Sequence, residues 1–138
     1  MGEGTELQKA IYDKAVSSSD LVTAIAQTTG PSKGIYYDLA PDTASMPYIV
    51  YKITDKILNH NFCDYSVNAI VYFNIYDDSI SSTTTIASVK DKLTDVFDRA
   101  VLTYSKKTAI GCLRTNDGEP QHTEDGWVST VIYNIWYQ

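Results

Sequence analysis

Sulfur and imidazole are scarce in this chain. Two Cys and two His in 138 residues leave little material for a disulfide framework or a metal centre. His60-x-x-Cys63 comes nearest to a ligand spacing, with Cys112 and His122 a loose second pair. Neither is a Cys-x-x-Cys or a His-Glu-x-x-His pattern. Both Cys stand in apparent strands, beside Phe62 and Leu113, and read as buried free thiols. No apolar run is long enough to span a bilayer, and no segment has the layout of a signal peptide. Basic residues are also few: 11 Lys and Arg stand against 17 Asp and Glu, for a formal net charge of −6. They occur singly or as the pair Lys106-Lys107, which is not the clustered footprint that nucleic-acid binding needs. The glycine-bearing stretch Gly30-Pro31-Ser32-Lys33-Gly34 lacks the spacing of a phosphate-cradling loop. Asp77-Asp78 is a carboxylate pair, but it stands where a strand hands over to a helix, where capping and helix-dipole roles compete with acid–base chemistry. The expectation is a protein without catalytic residues, metal or cofactor.

Aromatic residues, by contrast, are plentiful and skewed: eleven Tyr against three Phe and two Trp. A tyrosine carries a large apolar ring and a hydroxyl that seeks a partner, so it suits both ordinary sheet faces and interfaces. With 43% hydrophobic and 20% charged residues, the chain can bury a core, and its length fits one domain over 1–138.

Helical spacing of Leu7, Ala10, Ile11 and Ala15, with Thr5 and Gln8 as a capping box, predicts a helix near 5–16. Ser17-Ser18-Ser19-Asp20 offers fresh N-caps for a short helix carrying Leu21, Val22, Ile25 and Ala26, and Gly30-Pro31 ends it. Gly34–Asp38 is a short extended piece, and a strand runs from Tyr48 (YIVYKITDK). Residues 56–61 read as a connection. The cleanest signal follows. Tyr65, Val67, Ala69, Val71, Phe73 and Ile75 are apolar and alternate with Ser66, Asn68, Ile70, Tyr72, Asn74 and Tyr76, a half-polar set. The first set is expected to face the core, and the second to stay partly wet or be covered by something outside the chain. Ile86, Val89, Leu93, Val96, Phe97, Ala100 and Val101 predict a long helix over about 82–103. A strand near 108–116 follows, then a turn-rich stretch over 116–126 that reads as a long, mobile hairpin loop. The last strand runs from Trp127 to Tyr137 and is apolar on both faces. The expected architecture is α+β, in the order α-α-β-β-α-β-β. Its sheet is antiparallel, with a mixed sheet as the variant, has about four strands, and carries the long helix on one face.

In this order the segments resemble the tail-completion, or tail terminator, proteins of long-tailed bacteriophages. The resemblance spans nearly the whole chain. It rests on a leading helix (LQKAIYDKAV), a short second helix (DLVTAIAQ), the Gly34-Ile35-Tyr36-Tyr37-Asp38 segment and a Pro-containing loop (LAPDTASMP). It continues with a strand opening Pro47-Tyr48-Ile49-Val50, the strand end VYFNIYDDS, the helix pattern IASVKDKLTDVF and Asp125-Gly126-Trp127 before the last strand. The resemblance implies a virion protein, made in the host cytoplasm and placed at the head-proximal end of the tail. It implies a ring, commonly of six copies, that caps the tail tube, stops its growth and docks the head–tail connector or head-closure protein. DNA would pass without specific binding, and no membrane is involved. Subunit contacts are then expected from Tyr72, Asn74, Tyr76, Asn134 and Trp136. Packing of these side chains under the first helix is the alternative. Partner contacts are expected from two loops, about 56–62 and 115–126, carrying His60, Asn61, Asp117, Glu119, His122 and Glu124; simple solvated connection is the plainer reading of both. The rival readings are another phage neck protein, such as a head-closure or adaptor protein, and a small ligand-binding or enzymatic domain.

Overall fold

The computed structural model describes residues 3–25, 34–39, 47–60, 65–77, 84–98, 100, 102–104, 107–123 and 126–137. Two helices open the chain, α1 (Glu3–Val16) and α2 (Ser19–Ile25). Three strands follow: β1 (Ile35–Tyr37), β2 (Tyr48–His60) and β3 (Tyr65–Asp77). Then come α3 (Thr84–Phe97), β4 (Thr103–Tyr104), β5 (Lys107–Asp117), β6 (Gln121–Thr123) and β7 (Gly126–Tyr137). The strands form one sheet in the order β1-β2-β3-β7-β5-β4, and β6 also pairs with β7. The pairing of β1 with β2 is parallel and every other pairing is antiparallel, so the sheet is mixed. The α+β class is as expected. The sheet is larger than the four strands expected, because β1, β4 and β6 are too short to show a period of two in sequence.

Strand β3 pairs along nearly its whole length, with β2 on one side (65–76) and β7 on the other (67–77). Its alternation then decides the layering. Ala69, Val71, Phe73 and Ile75 are fully buried, together with Ile49, Tyr51, Val131, Tyr133 and Ile135 of the neighbouring strands. Onto this face α3 lays Ile86, Val89, Leu93 and Phe97. The first helix adds Leu7, Ala10, Ile11 and Ala15, and the second adds Leu21 and Ile25. Each large side chain so buried contributes about 1.5–3 kcal/mol. Phe73 is the hub, with its ring centroid 4.9 Å from Phe97, 5.8 Å from Tyr133 and 6.0 Å from Tyr51. The Tyr51 hydroxyl donates to the Gln8 carbonyl at 3.0 Å and ties α1 to this layer.

Element boundaries differ from expectation in four places. Helix α1 starts at Glu3, so Thr5 lies inside it and is not its cap. The second helix is capped as expected: the Leu21 amide donates to Ser18 Oγ at 3.2 Å. Helix α3 stops at Phe97, earlier than 103. The Ala100 amide turns back to the Phe97 carbonyl at 3.1 Å, and Ala100 and Leu102 bury on the way into β4. Apolar spacing alone does not separate that exit from another helical turn. Residues 56–60 are strand, not connection. The expected loop over 116–126 is largely strand too. Gly118 donates its amide to the Thr130 carbonyl at 2.8 Å, and β6 resumes pairing at Gln121, so β5 and β6 run as one interrupted strand beside β7. A Cβ on Gly118 would stand 2.9 Å from that carbonyl, which is why glycine holds this crossing point.

Truncating the hub tests this packing. Phe73→Ala is expected to lower the unfolding free energy by about 3–5 kcal/mol in urea denaturation. A loss under about 1 kcal/mol would show that the aromatic cluster is not the centre of the core.

Candidate functional site: the helix-free sheet face

All three helices pack on one side of the sheet. The first helix therefore does not cover the half-polar side chains of β3 and β7, and the alternative of packing beneath it is set aside. Among the described residues, no helix lies on this second face. The sheet register gathers Tyr72, Asn74 and Tyr76 of β3 beside Val128, Thr130 and Ile132 of β7. Further along, Asn134 and Trp136 stand opposite Ile70 and Asn68. The five side chains proposed from sequence for subunit contacts thus share one face, spread along its length.

Three tyrosines form a row at one end. Tyr48 sits 5.9 Å from Tyr36, edge to face, and 5.3 Å from Tyr76. The sequence already held Tyr48 on this parity, since Tyr48, Val50 and Lys52 alternate as β3 does. Tyr36 carried no such signal, because a three-residue strand has no readable period. In the middle, Thr130 Oγ1 donates to Asn74 Oδ1 at 2.6 Å across the strand pair. At the other end, Trp136 and Leu113 stand out as large exposed hydrophobic residues. Between them Asn134 buries its Oδ1 with no hydrogen-bond donor. An acceptor left so costs stability. Charge on this face comes from β2: Lys52 pairs with Asp38 at 3.4 Å, and Asp55 stands opposite Ile70 in the register.

The expected partner-contact residues are placed differently. His60 closes β2 and His122 lies in β6, its ring 5.0 Å from Trp127. Asp117 ends β5 and is engaged within the chain, while Glu119 is exposed in the link to β6. Asn61, Glu124 and Cys63 lie outside the described residues.

Asp117 belongs to a cluster that no spacing in the sequence announced. Lys90 Nζ lies 2.8 Å from Asp117, and Arg114 bridges Asp117 and Asp98 at 3.2 Å each. The Tyr133 hydroxyl donates to Asp98 at 2.6 Å. The cluster staples the C-terminal half of α3 to β5 and β7. The Arg114 pairs are over a third exposed on their carboxylate side, so each adds at most about 1 kcal/mol. Next to it, Asp98, Cys112, Leu113 and Arg114 line an open hollow of about 270 Å³. Asp77 does not cap α3, as its sequence position suggested: it ends β3, buried, seven residues before Thr84. Neither its Oδ2 nor the facing Trp127 Nε1 has a hydrogen-bond partner. Among the described residues, no group of three or more His, Cys, Asp or Glu could hold a metal, and no helix is long and apolar enough to cross a membrane.

No protein-family model matches the chain, and no curated protein does. Solved structures do, 21 chains in all. One is a chain of the virion of a native gene transfer agent particle, with a TM-score of 0.77 at 12% identity, covering 96% of this chain and 95% of that one. The fold is shared with a virion chain. A second solved chain has a TM-score of 0.68 at 15% identity, covering 99% of this chain and 97% of that one. At such identities the likeness is one of fold.

Burial of the Cys112 thiol, only partly offset by nearby Lys14, pushes its pKa from 9.0 up to about 12. Burial also raises the Tyr51 and Tyr133 phenols, the latter helped by the bond to Asp98. All three folded-state values lie above the ordinary ones, so their neutral forms favour the fold fully at low pH. That stability is lost as pH rises from the ordinary thiol value of 9.0 towards about 12. The unfolding free energy is expected to fall steadily over this window in denaturant titrations at a series of pH values. A flat profile up to pH 11 would contradict the burial of these groups.

Proposed function

We propose that this chain is a structural, non-catalytic subunit of a phage-like virion, which caps the tail tube as a ring, ends its polymerisation and offers the surface to which the head docks. The observation that carries the virion part is the end-to-end match of its fold to a chain of a gene transfer agent particle. Coverage above 90% of both chains means that the whole domain is shared, not a common sub-motif. The finer part, tail termination, is supported by the ordered resemblance along the sequence and by the shape of the sheet.

A sheet with helices on one side and a tyrosine-rich opposite side is half of a packed layer structure. A neighbour supplies the other half. Tyr72, Asn74, Tyr76, Asn134 and Trp136 are the contacts in this reading. The sheet edges fit the same role. Beyond Tyr51, β2 pairs only with β3 among the described residues, and β4 covers only the start of β5. Bulges at Ile53/Asp55 in β2 and at two places in β5 guard these edges against indiscriminate pairing. The tail tube protein and the head-closure protein are the further partners, one on each side of the ring. With a net charge of −6, the subunit presents DNA with a wall that repels and does not grip.

Removing the protein from the particle that encodes it separates the roles, with electron microscopy as the readout. Tail termination predicts overlong tubes that lack heads. Tails of normal length beside unjoined or leaking heads would replace termination with a head-closure role. Normal, joined particles would end the virion reading.

A further inference from the structure

Two buried polar groups meet where β3 ends and β7 begins. Asp77 is only 2% exposed, has no ion pair among the described residues, and leaves its Oδ2 without a hydrogen-bond partner. Trp127 stands directly opposite it in the register and buries an indole Nε1 that also has none. Both residues share the parity of Phe73 and Val131, so both side chains belong to the core layer. An unpaired donor and an unpaired acceptor each cost stability there, and a carboxyl group costs more than most. Water would satisfy both atoms if this end of the sheet opened.

Little holds the end closed. Strand β6 supplies three pairs to β7: Gln121 with Val128, His122 with Trp127 and Thr123 with Gly126. The His122 ring stands edge to face on the indole at 5.0 Å. On the other side, β7 has two pairs with β3 beyond Ser129, at Val128 and Trp127. At Ser129 the situation changes. Its side chain is buried and satisfied, with Oγ donating to the Gly118 carbonyl at 2.7 Å. The Gly118 amide donates in turn to the Thr130 carbonyl at 2.8 Å. Unpaired polar groups thus end where a fully bonded crossing begins. At the outer end, Gly126 takes φ 140°, which leaves the backbone free to turn ahead of Trp127.

We infer that β6 and the first three residues of β7 form a flap that opens at Trp127 while the rest of the sheet stays paired. The unpaired Asp77 and Trp127 atoms favour opening, and the Ser129–Gly118 bond marks where it stops. Opening gives up the packing of one indole ring and hydrates Oδ2 and Nε1 together. It bares Asp77 and carries Trp127 and His122 outward as a unit. The inference concerns a single subunit and does not rest on the ring reading.

Hydrogen exchange of the full-length protein, followed amide by amide in low concentrations of urea, tests it. The Trp127 and Val128 amides are expected to exchange faster than those of Val131 and Tyr133, and with little dependence on urea, because a local opening exposes little surface. Asp77→Leu removes the unpaired carboxyl and adds no new polar group, so it is expected to slow exchange at Val128 about tenfold. Asp77→Met repeats the test with an unbranched side chain that adapts to the space, in case leucine does not fit. Slower exchange at Val128 in either variant supports the flap. Unchanged or faster exchange in both would overturn it, as would a Val128 amide that follows urea as steeply as Val131 in the wild-type chain.

Discussion

Strand β3 is held on both sides, by β2 and by β7, and the rest of the molecule follows from that. A strand fixed in the middle of a sheet can show only one parity of side chains to each layer. In β3 the odd positions are Ala69, Val71, Phe73 and Ile75, so the helices have to lie on that side. The even positions, Ile70, Tyr72, Asn74 and Tyr76, are left with no layer of their own. Shifting the register by one residue would place Asn74 in the core and Phe73 in water. The core is thus what commits the tyrosine-rich face to the outside.

Much of this was legible in the sequence, because β3, β7 and α3 are long enough to display a period. The alternation over 65–76 gave both faces, and the apolar stripe from Ile86 to Phe97 gave the covering helix. What could not be read has a common physical cause: it depends on partners distant in the chain. The strands β1, β4 and β6 exist because a longer neighbour offers them hydrogen bonds. The stretch after Asn116 looked like a loop because its Asp-Gly and Pro residues are turn formers. Pairing with β7, through Gly118 and then Gln121–Thr123, overrides that local preference. Lys90, Asp98, Arg114, Asp117 and Tyr133 converge only once α3 lies across β5 and β7.

The candidate site shows the same division. Tyr72, Asn74, Tyr76, Asn134 and Trp136 could be assigned to one face from alternation. The tyrosine row through Tyr36 and the exposure of Leu39, Leu113 and Trp136 could not: they arise from tertiary placement. Among the described residues, Leu39, Leu113 and Trp136 are large hydrophobic side chains left exposed, and the two sheet edges are paired along only part of their length. Partly paired edges of this kind offer backbone groups to another strand. Their coexistence with a well-packed core on the other face is what supports the proposal that the subunit assembles.

The most direct measurement is hydroxyl-radical footprinting of the free subunit against the same protein mounted on tail tubes. If the helix-free face is the assembly surface, Tyr72, Tyr76 and Trp136 lose reactivity on mounting, while Tyr12 on the helix layer keeps its own. Protection of Tyr12 with the sheet face unchanged would contradict the proposal and move the interface to the helices.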